Sequence, residues 1–366
     1  MNLAQLRVGA YTIPTETPEA DGTIAWQSTS MVLVEAQSED GTVGLGYSYA
    51  APAAGLFIEE KLAPLVIGRP VHAIGAAWER MVKAVRNVGR PGIAAHAISA
   101  VDTALWDLKA RVLGLPLFHL LPTHRDSVPV YGSGGFTSYS VERLQEQLAG
   151  WVEQGIPRVK MKLGKGWGRV PEEDVQRVLA ARRAIGPDAE LMVDANGAYT
   201  AKQAVRQARR FAEFGVTYFE EPVSSDHLRQ LAFVRNNTVI SIAAGEYGYD
   251  PWYFRDMLQA GAVDILQADV TRCLGISGWL MAADIAYGFA IPLSAHTAPS
   301  IHAHIGCAAP QISHVEYFFD HVRIEKLFFD GFLEPLEGTM VPDPDRPGLG
   351  LTLKREDVQQ YQIRPA

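Results

Sequence analysis

Apolar positions in this chain follow two different patterns. Residues 5–12 and 30–37 are β-rich, as in Ser30-Met31-Val32-Leu33-Val34-Glu35-Ala36. Glu39-Asp40-Gly41 follows as a turn, and Val43 to Tyr49 reads as another strand. Together they predict an antiparallel sheet. Helical spacing takes over from about residue 57 to 121, while Pro14-Thr15-Glu16-Thr17-Pro18 and the small-residue stretch 50–55 read as loops.

From residue 127 onward one unit repeats: a short apolar run ending in a polar residue or glycine, then a helix-period segment. The runs are Val128–Tyr131, Val159–Leu163, Leu191–Asp194, Tyr218–Glu220, Ile240–Gly245, Ile265–Asp269, Ile291–His296 and His314–Phe318. Between them, Asp174–Ile185 places Val175, Val178, Leu179 and Ile185 on one face, with Gly186 past its end. A second helix runs from an N-capping Thr200 to Gly215, with Ala204, Ala208, Phe211 and Ala212 facing inward. Eight alternations predict an α/β fold with a parallel (β/α) barrel, and a doubly wound open sheet is the competing layout.

In a barrel the C-terminal strand ends converge on one pocket. Lys160 and Lys162 stand two apart on the second run and point to the same side, inward. Later runs end in Asp194, Glu220, Glu246, Asp269 and His296, and the last carries Glu316. Each alone is ordinary, because a strand-end Asp commonly caps the next helix and a lone His is commonly structural. The set is different: Asp194, Glu220 and Glu246 are 26 residues apart each time, which predicts equivalent heights on neighbouring strands. Three clustered carboxylates repel unless a cation neutralises them, and oxygen-only ligands suit Mg²⁺ better than Zn²⁺.

Lys162 and His296 are then expected to flank a substrate from two faces. Repulsion from Lys160 is expected to lower the pKa of Lys162 and make it a base near neutrality. Asp269 is placed to orient His296. Such a set suits removal of the proton next to a substrate carboxylate, the enediolate being stabilised by the cation, by Lys160 and by a protonated Glu316. Glu221 is expected to point away from the triad, into a salt bridge or a supporting contact. His302, His304, His314 and His321 read as structural or surface residues.

Composition narrows the partners. The 366 residues carry a formal net charge of −8 with no basic block, which argues against nucleic acid. No apolar run approaches the roughly 20 residues that span a bilayer, and the start shows no signal-peptide pattern. Two cysteines, Cys273 and Cys307, form no CxxC pair, so a reducing, cytoplasmic location is expected.

These elements together resemble the enolase superfamily, mandelate racemase subgroup. The resemblance covers essentially the whole chain. It rests on the segment from Ala97 through Asp102, Asp107 and Gly114 to Leu117, on Lys-x-Lys, Asp-x-Asn-Gly, Glu-Glu-Pro and Gly-Glu, and on Asp269, His296 and Glu316 in this order. It implies a (β/α)7β modified TIM barrel (125–322), capped by an α+β domain made of the N-terminal third (1–124) and the C-terminal segment (323–366). It further implies Mg²⁺ on Asp194, Glu220 and Glu246, with Asn196 beside the metal, and Lys162 and His296 as acid/base groups. Asp269 would support His296, and Lys160 and Glu316 would hold substrate carboxylate oxygens. Loops at about 14–28 and 47–56 would close over a small-molecule carboxylate, and a homo-oligomer, often an octamer, is implied. Leu274 and Pro122 stand where glycine is common in the family.

Enolate formation is the shared step. Expulsion of a β-hydroxyl makes the chain an acid-sugar dehydratase (a lyase), the reading favoured by Glu16, Asp21, Thr23 and Gln27 in the 14–28 segment. Return of the proton to the opposite face makes it a racemase or epimerase, and lactone cycloisomerisation is a third outcome. A catalytically silent barrel that only binds is the non-enzymatic alternative.

Overall fold

The computed structural model describes residues 1–364. Its first strands are β1 (Leu3–Ala20), β2 (Ala25–Ser38) and β3 (Val43–Ser48), all antiparallel. β1 and β2 pair from Leu3↔Ser38 to Ala20↔Ala25, with an irregularity between Pro14 and Glu19. The segment 14–28, expected as a loop, is therefore mostly the arm of a long hairpin. Its prolines are tolerated because the opposite edge of β1 pairs elsewhere only at Ala10 and Tyr11, so their missing N–H groups break no ladder. The stretch 50–55, also expected as a loop, runs into the short helix Ala53–Phe57.

β3 lies directly on the long helix Ile93–Val112. A Cβ on Gly46 would come within 2.2 Å of the Ala100 carbonyl oxygen, so only glycine allows the approach. In the same helix the buried Asp107 accepts hydrogen bonds from the Leu45 and Leu349 backbone N–H groups, each 2.6 Å, and from Arg111 Nε at 2.7 Å. One carboxylate thus ties the N-terminal sheet, its helix and the C-terminal segment. That segment ends in a strand, Gln362–Arg364, on the free edge of β1.

The remaining strands are β4 (Val128–Gly134), β5 (Arg158–Lys162), β6 (Glu190–Asp194), β7 (Val216–Glu220), β8 (Ser241–Ala244), β9 (Ile265–Ala268), β10 (Leu293–Ala295) and β11 (Ile312–Phe318). They are parallel in sequence order, and β11 pairs with β4 to close an eight-stranded barrel, which excludes the open sheet. The helix Pro171–Ile185 starts before Asp174 because Pro171 suits the first helical turn. Ala201–Ala212 starts after Thr200 as expected, but the Thr200 hydroxyl makes no capping bond.

The barrel interior below the site is filled by Tyr131, Met192, Tyr218 and Ala243. His314 packs edge-on against Tyr131 and Tyr218, at 4.8 and 5.8 Å between ring centres. Leu274 takes a left-handed φ of 72°, a conformation that favours glycine.

Candidate active site

The three acids meet by two different devices. Sheet register sets Lys162, Asp194 and Glu220 side by side on β5, β6 and β7. Glu246 lies beyond the end of β8, not at an equivalent height, and is brought back by Gly245. That residue has φ 137°, and a Cβ there would come within 2.0 Å of the Gln267 carbonyl oxygen. One carboxylate oxygen from each of Asp194, Glu220 and Glu246 lies within 4.8 Å of the others, and all three residues are buried. Glu220 Oε1 and Glu246 Oε2 have no hydrogen-bond partner. Buried carboxylate oxygens clustered this closely are the donor set of a hard divalent cation.

Beneath the acids, Lys160 reaches Glu220 Oε2 at 2.7 Å and Glu316 Oε1 at 2.9 Å, with Asp194 Oδ2 at 3.7 Å. Gln267 Nε2 and the Tyr218 hydroxyl also donate to Glu220 Oε2, at 3.0 and 3.1 Å. Burial pushes the Glu220 carboxyl up to about 8, against the pull of Lys160. Lys162 is in direct contact with Asp194.

Two expectations about charge are corrected here. Burial and Lys160 do pull the Lys162 ammonium down, but the touching Asp194 carboxylate outweighs them and holds it above the usual lysine range. Glu316 is not protonated: burial favours the neutral acid, yet Lys160, His296 and Lys162 hold it well below the usual carboxylate range.

His296 faces Lys162 from the other side of the triad. Its Nδ1 is 2.8 Å from Asp269 Oδ2, and its Nε2 lies 3.3 Å from Glu246 Oε2 and 3.6 Å from Glu316 Oε2. Burial works against the imidazolium, but Glu246, Glu316 and Asp269 outweigh it and raise the pKa. Asp269 is itself fixed by the Thr271 N–H at 2.7 Å and by Arg272 Nε at 3.4 Å. Arg272 Nη1 also reaches Glu246 Oε1 at 3.2 Å, so one guanidinium joins the support of His296 to the third acid.

Strand tips here carry unusual backbone. Asn196, Glu221, Thr297 and Ala298 all have positive φ, between 36° and 52°. Such strain clusters where side chains must be aimed. The Asn196 N–H donates to Asp194 Oδ1 at 2.8 Å, which fixes that carboxylate. Glu221 forms no ion pair among the described residues, so the expected salt bridge is not seen, and the triad carboxylates are close to it. Burial, with Glu246, Asp194 and Glu220 nearby, drives its pKa well up. All four late histidines are buried. His302 bridges the Thr297 carbonyl and the Val270 N–H, and His304 contacts the Leu349 carbonyl. His321 is not merely structural: it lines the cavity, stacked on Tyr49 with ring centres 3.5 Å apart.

That cavity, about 420 Å³, has Lys162, Asn196, Glu246 and His296 on its floor and the β1–β2 hairpin as its roof. Trp26 anchors the hairpin, packing edge-on against Phe136 at 5.7 Å while its Nε1 donates to the buried Glu19 at 3.0 Å. Ser28, Thr29 and Ser30 face the cavity, and the Thr29 hydroxyl donates to Asp320 at 2.5 Å. Lys160 and Glu316 do not line this space; they pair with each other below it.

Two family models cover most of the chain. Residues 8–122 match the mandelate racemase / muconate lactonizing enzyme N-terminal domain, and residues 143–358 the enolase C-terminal domain-like family. The chain belongs to the mandelate racemase / muconate lactonizing enzyme family. It is 54% identical to a mandelate racemase/muconate lactonizing enzyme-like protein of Rubrobacter xylanophilus, with TM-score 0.96 over 99% of this chain and 100% of that one. It is 33% identical to an arabinonate dehydratase of Saccharolobus solfataricus over 93% of both proteins. A third relative, L-talarate/galactarate dehydratase of Salmonella typhimurium, was solved with Mg and L-lyxarohydroxamate. It is 30% identical, with TM-score 0.90, over 100% of this chain and 93% of that one.

Against this family background, the groups missed from sequence are instructive. Arg272 follows Asp269 by one helical turn, a spacing that could have signalled its pairing. Ser28-Thr29-Ser30 is a polar run just before Met31–Val34 on the same strand, and its cavity face was not legible because the hairpin was read as a loop. Glu325 gave no signal. It lies in the helix Phe319–Phe328 and receives the Tyr47 hydroxyl at 2.6 Å and the Ser300 hydroxyl at 2.6 Å.

Proposed function

We propose that this enzyme removes the α-proton of an acid-sugar carboxylate and then expels the β-hydroxyl as water, giving a 2-keto-3-deoxy acid. The observation that carries this reading is the opposition of Lys162 and His296 across the acidic triad, under a roof of hydroxyls. Mg²⁺, which the solved talarate/galactarate dehydratase holds, fits Asp194, Glu220 and Glu246 and supplies Lewis-acid stabilisation of the carboxylate as negative charge develops.

The protein groups divide the proton work. Asp269 fixes the His296 Nδ1 hydrogen bond, leaving Nε2 toward the cavity. Lys162, on the cavity floor in contact with Asp194, acts as the base in its neutral form and as the acid in its ammonium form. Whichever of the two faces the α-hydrogen accepts it; the other donates a proton to the departing β-hydroxyl, and the resulting enol tautomerises to the keto acid. Lys160, buried between Glu220 and Glu316, keeps those carboxylates in place.

Similarity to an arabinonate dehydratase supports dehydration, and nearly equal similarity to a D-galactarolactone cycloisomerase makes lactone chemistry the second reading. The test is a panel of sugar acids with Mg²⁺ in D₂O, read for 2-keto acid and for deuterium at the α-carbon. Keto acid from one configuration is the expected result. Deuterium without keto acid overturns dehydration in favour of racemisation or epimerisation, and conversion of a lactone alone points to cycloisomerisation. A protein that binds no Mg²⁺ by calorimetry would make the silent barrel the better reading.

A further inference from the structure

We propose that the cavity accepts monocarboxylic sugar acids, with a neutral hydroxyl terminus beneath the hairpin, and rejects dicarboxylic ones. This rests on the acid-sugar reading above and specifies the substrate class within it.

Among the described residues, the cationic groups of the cavity are Lys162, Arg272 and His296, all on the floor. Each is committed: Lys162 to Asp194, Arg272 to Glu246 and Asp269, His296 to Asp269. All the cations that reach the cavity thus stand beside the triad, where a single carboxylate can share them.

The far wall offers no second set. Thr29 already donates its hydroxyl proton to Asp320, so its remaining capacity is as an acceptor. Asp21 faces the cavity as a carboxylate, held by the Thr23 and Ile24 N–H groups at 2.5 and 2.8 Å. His96 and His321 also line the cavity, and burial favours the neutral imidazole in both. Burial and Arg272 push His96 down to about 4, and burial and His296 push His321 down to about 3. Ser48 donates to the Thr271 carbonyl at 2.6 Å, which makes His96 Nδ1, 3.1 Å from that oxygen, a donor and leaves Nε2 to accept.

The cations closest behind this wall are occupied. Arg323 holds Asp320 Oδ1 at 2.6 Å and the Pro14 carbonyl at 2.7 Å, and Arg143 lies over the Tyr139 ring and beside Glu16. A terminal hydroxyl can donate to Thr29, Asp21 or His96. A terminal carboxylate would meet only neutral donors beside the Asp21 carboxyl, with no unpaired cation among the described residues to offset the loss of its water.

The experiment compares aldonates of five and six carbons with the aldarates of the same configuration, using the full-length protein with Mg²⁺. Binding is read by calorimetry and turnover by 2-keto acid. The expected result is at least about 100-fold lower affinity and kcat/KM for each aldarate than for its matched aldonate. Ser28→Arg, on the exposed hairpin strand, should narrow that gap about tenfold by adding a cation to the wall. Equal or tighter binding of an aldarate overturns the proposal whatever reaction follows. Selective aldonate binding without keto acid leaves it standing and overturns the dehydratase reading instead.

Discussion

The floor and the roof of the cavity are built on opposite principles. On the floor, Lys160, Lys162, Asp194, Glu220, Glu246, Asp269, His296 and Glu316 are all nearly sealed from solvent. Each charge there is tolerable only because others neutralise it, so the groups act as a unit and loss of one leaves another buried and unpaired. The roof is a two-stranded hairpin bearing hydroxyls and one anchoring indole, partly exposed. Its contacts are separate from one another, so each can be altered with little effect on the rest. Chemistry belongs to the sealed network, and choice of substrate to the surface that can vary.

Substitutions should therefore fall in a graded order. Glu220→Gln removes a ligand and the main partner of Lys160; we expect loss of Mg²⁺ binding by calorimetry and a fall in kcat of about 10⁴-fold or more. His296→Asn should cost about 10³-fold in turnover. It should also abolish α-proton exchange with D₂O at one stereochemical face while sparing the other. Equal loss at both faces would sink the assignment of two opposed bases.

Arg272→Gln tests whether the floor extends beyond the groups that face substrate. It should weaken Mg²⁺ binding about 10–100-fold with the fold retained, because Glu246 and Asp269 lose a shared anchor. Thr29→Val on the roof should raise KM by about tenfold or less and leave kcat nearly unchanged, the expectation for one neutral hydrogen bond. A large fall in kcat from Thr29→Val would erase the contrast between the two surfaces.

A separate effect, on stability rather than turnover, concerns the joint between the N-terminal sheet and the barrel. Glu325 is raised by burial to about 7, despite hydrogen bonds from Ser300 and Tyr47. Its carboxyl is thus favoured protonated in the folded protein. The stability this contributes is full below the unfolded pKa near 4.5 and is lost as pH rises through about 7. Glu325→Gln should gain thermal stability relative to the wild type across that window, by on the order of 2–3 kcal/mol in total. A wild-type-minus-variant difference that stays flat with pH would show that the carboxyl titrates normally.

Legibility from sequence followed periodicity. All eight barrel strands overlap their apolar runs, and Asp194, Glu220 and Glu246 come together because every run hands its last polar residue to the same mouth. The hairpin at 14–28 was misread because two prolines and several polar residues look like loop, whereas an edge strand with a bulge accommodates them. The protonation states of Lys162 and Glu316 were misjudged for a different reason. Sequence spacing placed Lys160 beside Lys162, but it could not show that Asp194 touches one and Lys160 the other.

By itself, then, the sequence determined the barrel, the order of its strands and the identity of the acids, lysines and histidine at their ends. Those features rest on short-range period and spacing, which the chain carries locally. Only the tertiary structure decided which charges touch, that Arg272 joins Asp269 to Glu246, and that a hydroxyl-bearing hairpin covers the mouth. Those depend on distances of a few ångströms between residues up to hundreds of positions apart, such as Thr29 and Asp320, and no local pattern encodes them.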